Sequence, residues 1–122
     1  MSIPGMQAGR SDSIVELVDM FPTVSELVGL PVPSDLQGVS LVPVLQDPTA
    51  NVKQGALSFT KGTSWRNRDW AYMRYSDGSE ELYDMRRDPE QFTNLAKDDQ
   101  FAAVRRRMSD ELTAQQTRFQ LK

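Results

Sequence analysis

Trp70-Ala71-Tyr72-Met73-Arg74-Tyr75-Ser76-Asp77-Gly78-Ser79-Glu80-Glu81-Leu82-Tyr83-Asp84-Met85 is the stretch on which the fold turns. Two short runs rich in aromatic and β-favouring residues flank an Asp-Gly pair, the strongest local signal for a hairpin. The spacing predicts residues 70–75 antiparallel to residues 81–85. Side chains alternate across a strand, so Trp70, Tyr72 and Arg74 share one face and Ala71, Met73 and Tyr75 the other. Upstream, residues 56–61 have the same character and are predicted to form a further strand. Downstream, Asp88-Pro89-Glu90 opens a turn that Asn94-Leu95-Ala96 closes. Asp98 or Asp99 then caps a helix over residues 100–117, with Phe101, Val104, Met108 and Leu112 as its apolar stripe.

The first half reads differently. Leu17, Phe21, Val24 and Val28 recur at helical spacing, and Pro22 suits a first turn. Asp19 is the expected N-cap, and Gly29 the left-handed C-cap before Pro31. Together these predict a helix over residues 20–28. Pro31, Pro33, Pro43 and Pro48 then crowd the chain too closely for long elements, and Leu41-Val42-Pro43-Val44-Leu45 predicts one helical turn. The expected class is α+β in two parts. Residues 1–54 form an irregular, helix-containing strip, and residues 55–122 a small antiparallel sheet packed against a long C-terminal helix.

Composition excludes more than it proposes. The chain has 122 residues, 39% hydrophobic and 25% charged, with a net charge of -3, an ordinary balance for a folded domain and a poor one for nucleic acid. It contains no Cys and no His, so no thiolate nucleophile, disulfide, zinc site with nitrogen or sulfur ligands, or Ser-His relay can be built from it. Arg105-Arg106-Arg107 spread over about 200° of a helix among acidic neighbours, which describes a solvated, ion-paired face. Every apolar run is interrupted before bilayer length, so no membrane contact is expected. Residues 1–10 lack a basic start and an apolar core, so no signal peptide is expected.

Three blocks go beyond architecture. They are Leu17-Val18-Asp19-Met20-Phe21-Pro22-Thr23-Val24 with Leu27-Val28-Gly29-Leu30-Pro31, then Leu36-Gln37-Gly38-Val39-Ser40-Leu41-Val42-Pro43-Val44-Leu45, then Glu81-Leu82-Tyr83-Asp84-Met85 with Asp88-Pro89-Glu90 and Asn94-Leu95-Ala96. In this order and spacing the chain resembles the C-terminal region of type I, formylglycine-dependent sulfatases, closest to the iduronate-2-sulfatase-like branch. The resemblance implies that residues 1–54 belong to the end of a larger α/β domain absent from this sequence. It also implies that residues 55–122 are a four-stranded sheet with one long helix.

A complete enzyme of that kind hydrolyses sulfate esters, here expected on sulfated carbohydrate. It uses a formylglycine made from Cys or Ser in a Cys-x-Pro-Ser-Arg motif, and a calcium or magnesium ion. It is compatible with a periplasmic or secreted location. Neither the Cys nor the Ser version of that motif is present here, since Pro33-Ser34 is followed by Asp35. No catalytic residue and no metal ligand carries over, no cofactor is expected in this chain, and the chain alone is expected to be inactive. The expected partner is the N-terminal sulfatase domain. Within Trp65-Arg66-Asn67-Arg68-Asp69-Trp70 the resemblance implies substrate contact: Trp65 against a sugar face, and Arg66 or Arg68 paired with a sulfate or carboxylate. The competing reading packs both tryptophans and leaves both arginines solvated or structural. For the chain as a whole, the rival is a stand-alone, non-catalytic interaction or carbohydrate-binding module.

Overall fold

Four strands, β1 (Ala56–Phe59), β2 (Gly62–Arg66), β3 (Trp70–Tyr75) and β4 (Glu80–Asp84), pair antiparallel in the order β1-β2-β3-β4. The computed structural model describes residue 5 and residues 9–119. It divides into two compact units, residues 1–54 and 55–122, and the sheet belongs to the second. The hairpin predicted from Asp77-Gly78 is present. Gly78 takes φ +83°, the Asp77 carboxylate accepts the Ser79 N–H at 2.9 Å, and the Tyr75 N–H reaches the Ser79 carbonyl at 3.0 Å. β4 starts and stops one residue earlier than the sequence suggested. The Asp84 carbonyl already accepts the Arg87 and Asp88 N–H groups of the next turn.

Register decides the core. Trp65 lies opposite Tyr72, and Tyr72 opposite Leu82, so the three share one sheet face. Against that face lies the last helix of the chain, α3 (Ala102–Arg118); a 3-10 turn, Asp99–Phe101, leads into it. Asp98 caps this entry by accepting the Gln100 N–H at 2.9 Å. Trp65, Trp70, Tyr72, Leu82, Ala96, Met108 and Leu112 form one buried cluster, with Phe101 and Val104 packed on its rim. Met108 and Leu112 are fully buried, each contributing roughly 1.5–3 kcal/mol of apolar burial. Arg74 ties the sheet to the far end of α3 through Gln116 at 2.7 Å.

Asn94-Leu95-Ala96 does the work of a fifth strand on the β4 edge. The Asn94 amide oxygen accepts the Leu82 and Ala96 N–H groups, its amide nitrogen donates to the Glu80 carbonyl, and the Leu95 N–H reaches the Leu82 carbonyl at 2.8 Å. An exposed strand edge is thereby closed by one side chain and one peptide.

The first unit holds a 3-10 turn, Leu17–Asp19, helix α1, Met20–Leu27, and helix α2, Val42–Gln46. α1 ends as expected: Gly29 has φ +72°, the Gly29 N–H bonds the Glu26 carbonyl, and the Leu30 N–H bonds the Ser25 carbonyl. That is a Schellman closure. Asp19 departs from its expected role, because its side chain does not cap α1. It is fully buried and accepts the Glu16 N–H at 2.7 Å, the Val39 N–H at 3.0 Å and the Lys53 ammonium at 2.7 Å. Thr23 continues the seam by accepting the Leu41 N–H at 2.9 Å. Gly38 permits this close passage, since a Cβ there would stand 2.1 Å from the Val18 carbonyl oxygen.

The helix is consequently inside-out. Pro22, Thr23 and Ser25 are buried, while Leu17 is 86% exposed, Phe21 59% and Val28 62%. Leu41, Val42 and Val44 supply the apolar burial in this unit.

Candidate functional site

β2 and the tight turn after it present the three residues singled out in the sequence. Alternation sends neighbouring side chains to opposite faces, so Trp65 and Arg66 diverge. Trp65 points into the core, 4% exposed, and its indole N–H donates to Glu111 on α3 at 2.8 Å. Gly55 packs beneath it, where a Cβ would lie 2.5 Å from the indole ring. Arg66 is exposed on the other face, and Arg68 is exposed in the turn. Asn67 shapes that turn: its side-chain oxygen accepts the Asp69 and Trp70 N–H groups, and its amide donates to the Met108 sulfur at 3.3 Å.

The end of β4 meets this turn, with the Met85 N–H bonded to the Asp69 carbonyl at 2.8 Å. It brings two residues not foreseen from the sequence, Arg86 and Arg87. The Arg86 guanidinium lies 5.7 Å from the centre of the Trp70 ring and bonds Asp84 through Nε at 3.2 Å and Nη2 at 3.3 Å. It also stands 3.9 Å from Asp69. The Arg86 hydrogen bonds hold the Asp84 carboxyl below the usual carboxylate range. Arg87 reaches the same carboxylate at 4.0 Å with 86% of its side chain in solvent. Arg86 and Arg87 thus gather on Asp84 at the end of β4, and the Met85–Asp69 bond sets them beside the turn that carries Arg68. The guanidinium groups of this arrangement suit an anion, and its carboxylates are engaged by them. Among the described residues no group of three or more Asp, Glu, His or Cys is placed to hold a metal ion.

The C-terminal model of the N-sulphoglucosamine sulphohydrolase family matches residues 1–118. The chain belongs to that family. Human arylsulfatase K is 34% identical over 111 residues, covering 76% of this chain and 21% of its own length. A solved structure described as a 2-O GAG sulfatase superposes with a TM-score of 0.75 at 28% identity, over 84% of this chain and 24% of that one. The phosphonate monoester hydrolase of Agrobacterium radiobacter gives 0.68 at 26% identity, over 83% and 24%. The chain therefore spans about a fifth of the length of such curated relatives. The four-stranded sheet and long C-terminal helix are the fold of this sulfatase C-terminal family.

Within this family member, Trp65 is a packing residue whose ring and N–H are both engaged, so the sugar-stacking role expected for it has no free surface. The expected roles of Arg66 and Arg68 are compatible with where they stand. Two of the tyrosines are structural: Tyr72 is fully buried and bonds Glu80, and Tyr83 bonds Glu81 at 3.0 Å. Burial, then the Glu81 hydrogen bond, pushes the Tyr83 phenol up to about 12. The folded state thus keeps this proton where the unfolded chain, with an ordinary value of about 10, loses it. The stability it supplies is present below that ordinary value and disappears as pH rises through the folded one. Urea midpoints measured across this alkaline window should fall less steeply for Tyr83→Phe than for the parent; parallel slopes would contradict the assignment.

Proposed function

We propose that this chain is the C-terminal part of a sulfuric ester hydrolase of the iduronate-2-sulfatase-like branch, acting on sulfated carbohydrate and supplying no catalytic group itself. Residues 1–54 serve as the closing strip of a larger α/β domain, and residues 55–122 as the subdomain that shapes the substrate mouth. The observation that carries this reading is the outward apolar face of α1, in a chain without Cys or His. A surface of that kind asks for a protein cover. The partner is the N-terminal sulfatase domain, which also holds the calcium or magnesium ion; the described residues here do not fit one. Arg66 and Arg68 face the anionic groups of the sugar chain.

Because the phosphonate monoester hydrolase shares this fold, the ester class is set by the partner domain. The 122-residue chain should hydrolyse neither 4-nitrophenyl sulfate nor a 4-nitrophenyl phosphonate ester, with or without calcium or magnesium. Turnover by the chain alone would overturn the proposal. Coding DNA upstream of the Met1 codon should specify a Cys-x-Pro-Ser-Arg motif. Unrelated sequence there would favour a free-standing module.

A further inference from the structure

The sheet face turned away from α3 carries a groove that the sulfatase reading leaves unused. Ser58 lies opposite Ser64, and Ser64 opposite Met73, so the three form one row; Gly62 lies opposite Tyr75 in the next. Thr60 closes the row at the β1–β2 turn, its N–H bonded to the Gly62 carbonyl at 2.9 Å. Gly62 makes the space. A Cβ there would stand 2.8 Å from Tyr75 Cδ1 and 2.7 Å from the Arg74 carbonyl oxygen, so the missing side chain lets the Tyr75 ring lie across the strand. The Tyr75 hydroxyl donates to the Met73 sulfur at 3.7 Å, which steadies the ring. The resulting cavity is about 230 Å³.

We infer that this groove is a subsite for one neutral sugar ring. The lining combines four hydroxyl-bearing residues, Ser58, Thr60, Thr63 and Ser64, with an aromatic and a thioether wall; the Thr63 hydroxyl already accepts from the Gln116 amide at 3.4 Å. Each hydroxyl both donates and accepts, which matches a ligand rimmed with hydroxyls of its own. Among the described residues none hydrogen-bonds the hydroxyls of Ser58, Thr60 or Ser64, so they are available to a ligand. The Tyr75 ring offers an apolar surface to the C–H face of a pyranose. Volume limits the occupant to about one ring, since it falls below the roughly 300–1,000 Å³ of pockets that take drug-sized molecules. Charge selects a neutral one. No cationic side chain is among the lining residues, and Glu81, opposite Met73 on the same face, disfavours an anion; Lys61, between Thr60 and Gly62 in the turn, is exposed. The site thus differs in kind from the arginine-rich end of the sheet. It goes beyond the sulfatase reading and does not depend on which ester the complete enzyme cleaves.

The test is a two-dimensional amide NMR titration of the 122-residue chain with cellobiose, lactose and N,N′-diacetylchitobiose, with a sulfated heparin disaccharide as contrast. Saturable shifts centred on Gly62, Ser64 and Tyr75 are expected with at least one neutral disaccharide. Tyr75→Ala should weaken that binding about tenfold, and the Ser58→Ala/Ser64→Ala pair similarly. The serine pair is the safer variant for folding, since Ser58 is exposed and Ser64 only partly buried. Absence of saturable shifts with all three neutral sugars would overturn the inference. So would shifts indifferent to both variants, or shifts confined to Arg66 and Arg68 with the sulfated ligand. A hydrolysis failure by the complete enzyme would leave these shifts in place, which separates the two proposals.

Discussion

Asp19→Ala is expected to remove about 3 kcal/mol from the first unit, because it takes one of two carboxylates from the largely buried Lys53 ammonium and leaves two backbone N–H groups without an acceptor. Lys53 keeps its second partner, Glu16 at 2.8 Å, which holds the loss to the lower part of the range for broken buried pairs. Amide hydrogen exchange reads the effect locally: Val39 and Leu41 should lose protection together, since Asp19 and Thr23 hold one seam. The double variant Asp19→Ala/Lys53→Met should exchange no faster than Asp19→Ala, and more slowly if the stranded charge is the main cost. Unchanged protection in Asp19→Ala would sink this account of the carboxylate.

Leu112→Ala should cost the second unit about 3 kcal/mol or more. Leu112 has no solvent exposure and sits in the cluster with Trp65, Tyr72, Leu82 and Met108. A unit this small has little stability in reserve, so the loss is a large share of the total. Leu112→Met keeps the volume and should cost less than about 1.5 kcal/mol. Urea unfolding followed by the fluorescence of Trp65 and Trp70 resolves the two, as both indoles lie in the same core. Equal midpoints for the two variants would mean that the site collapses without a cavity.

These two residues also mark where sequence reading works and where it stops. Leu112 is legible because the helical stripe Phe101, Val104, Met108 and Leu112 is a local pattern, as is the alternation of β3 around Asp77-Gly78. The chemistry of Asp19 is not local. Its acceptor contacts come from Val39 and Lys53, 20 and 34 positions away, so a residue that looks like a helix cap proves to be a clasp. The setting of Trp65 is equally non-local, since Glu111, which engages its indole, lies 46 positions downstream. β2 escaped reading from the residues because Thr63 and Ser64 blur its alternation. Asn94 was readable as a turn residue but not as the lid of the β4 edge. Arg86 meets Trp70 and Asp69 only through the pairing of β3 with β4, which no linear spacing reveals.

The inverted helix has a consequence for the life of the polypeptide in a cell. A continuous strip of Leu17, Phe21, Val24 and Val28 facing water is the kind of surface that chaperones hold and quality-control proteases attack. Left uncovered, such a strip is expected to draw that machinery to the chain in a cell, however sound the sheet-and-helix half is. Its steady-state abundance is then set by the supply of whatever shields α1, and only weakly by its own rate of synthesis.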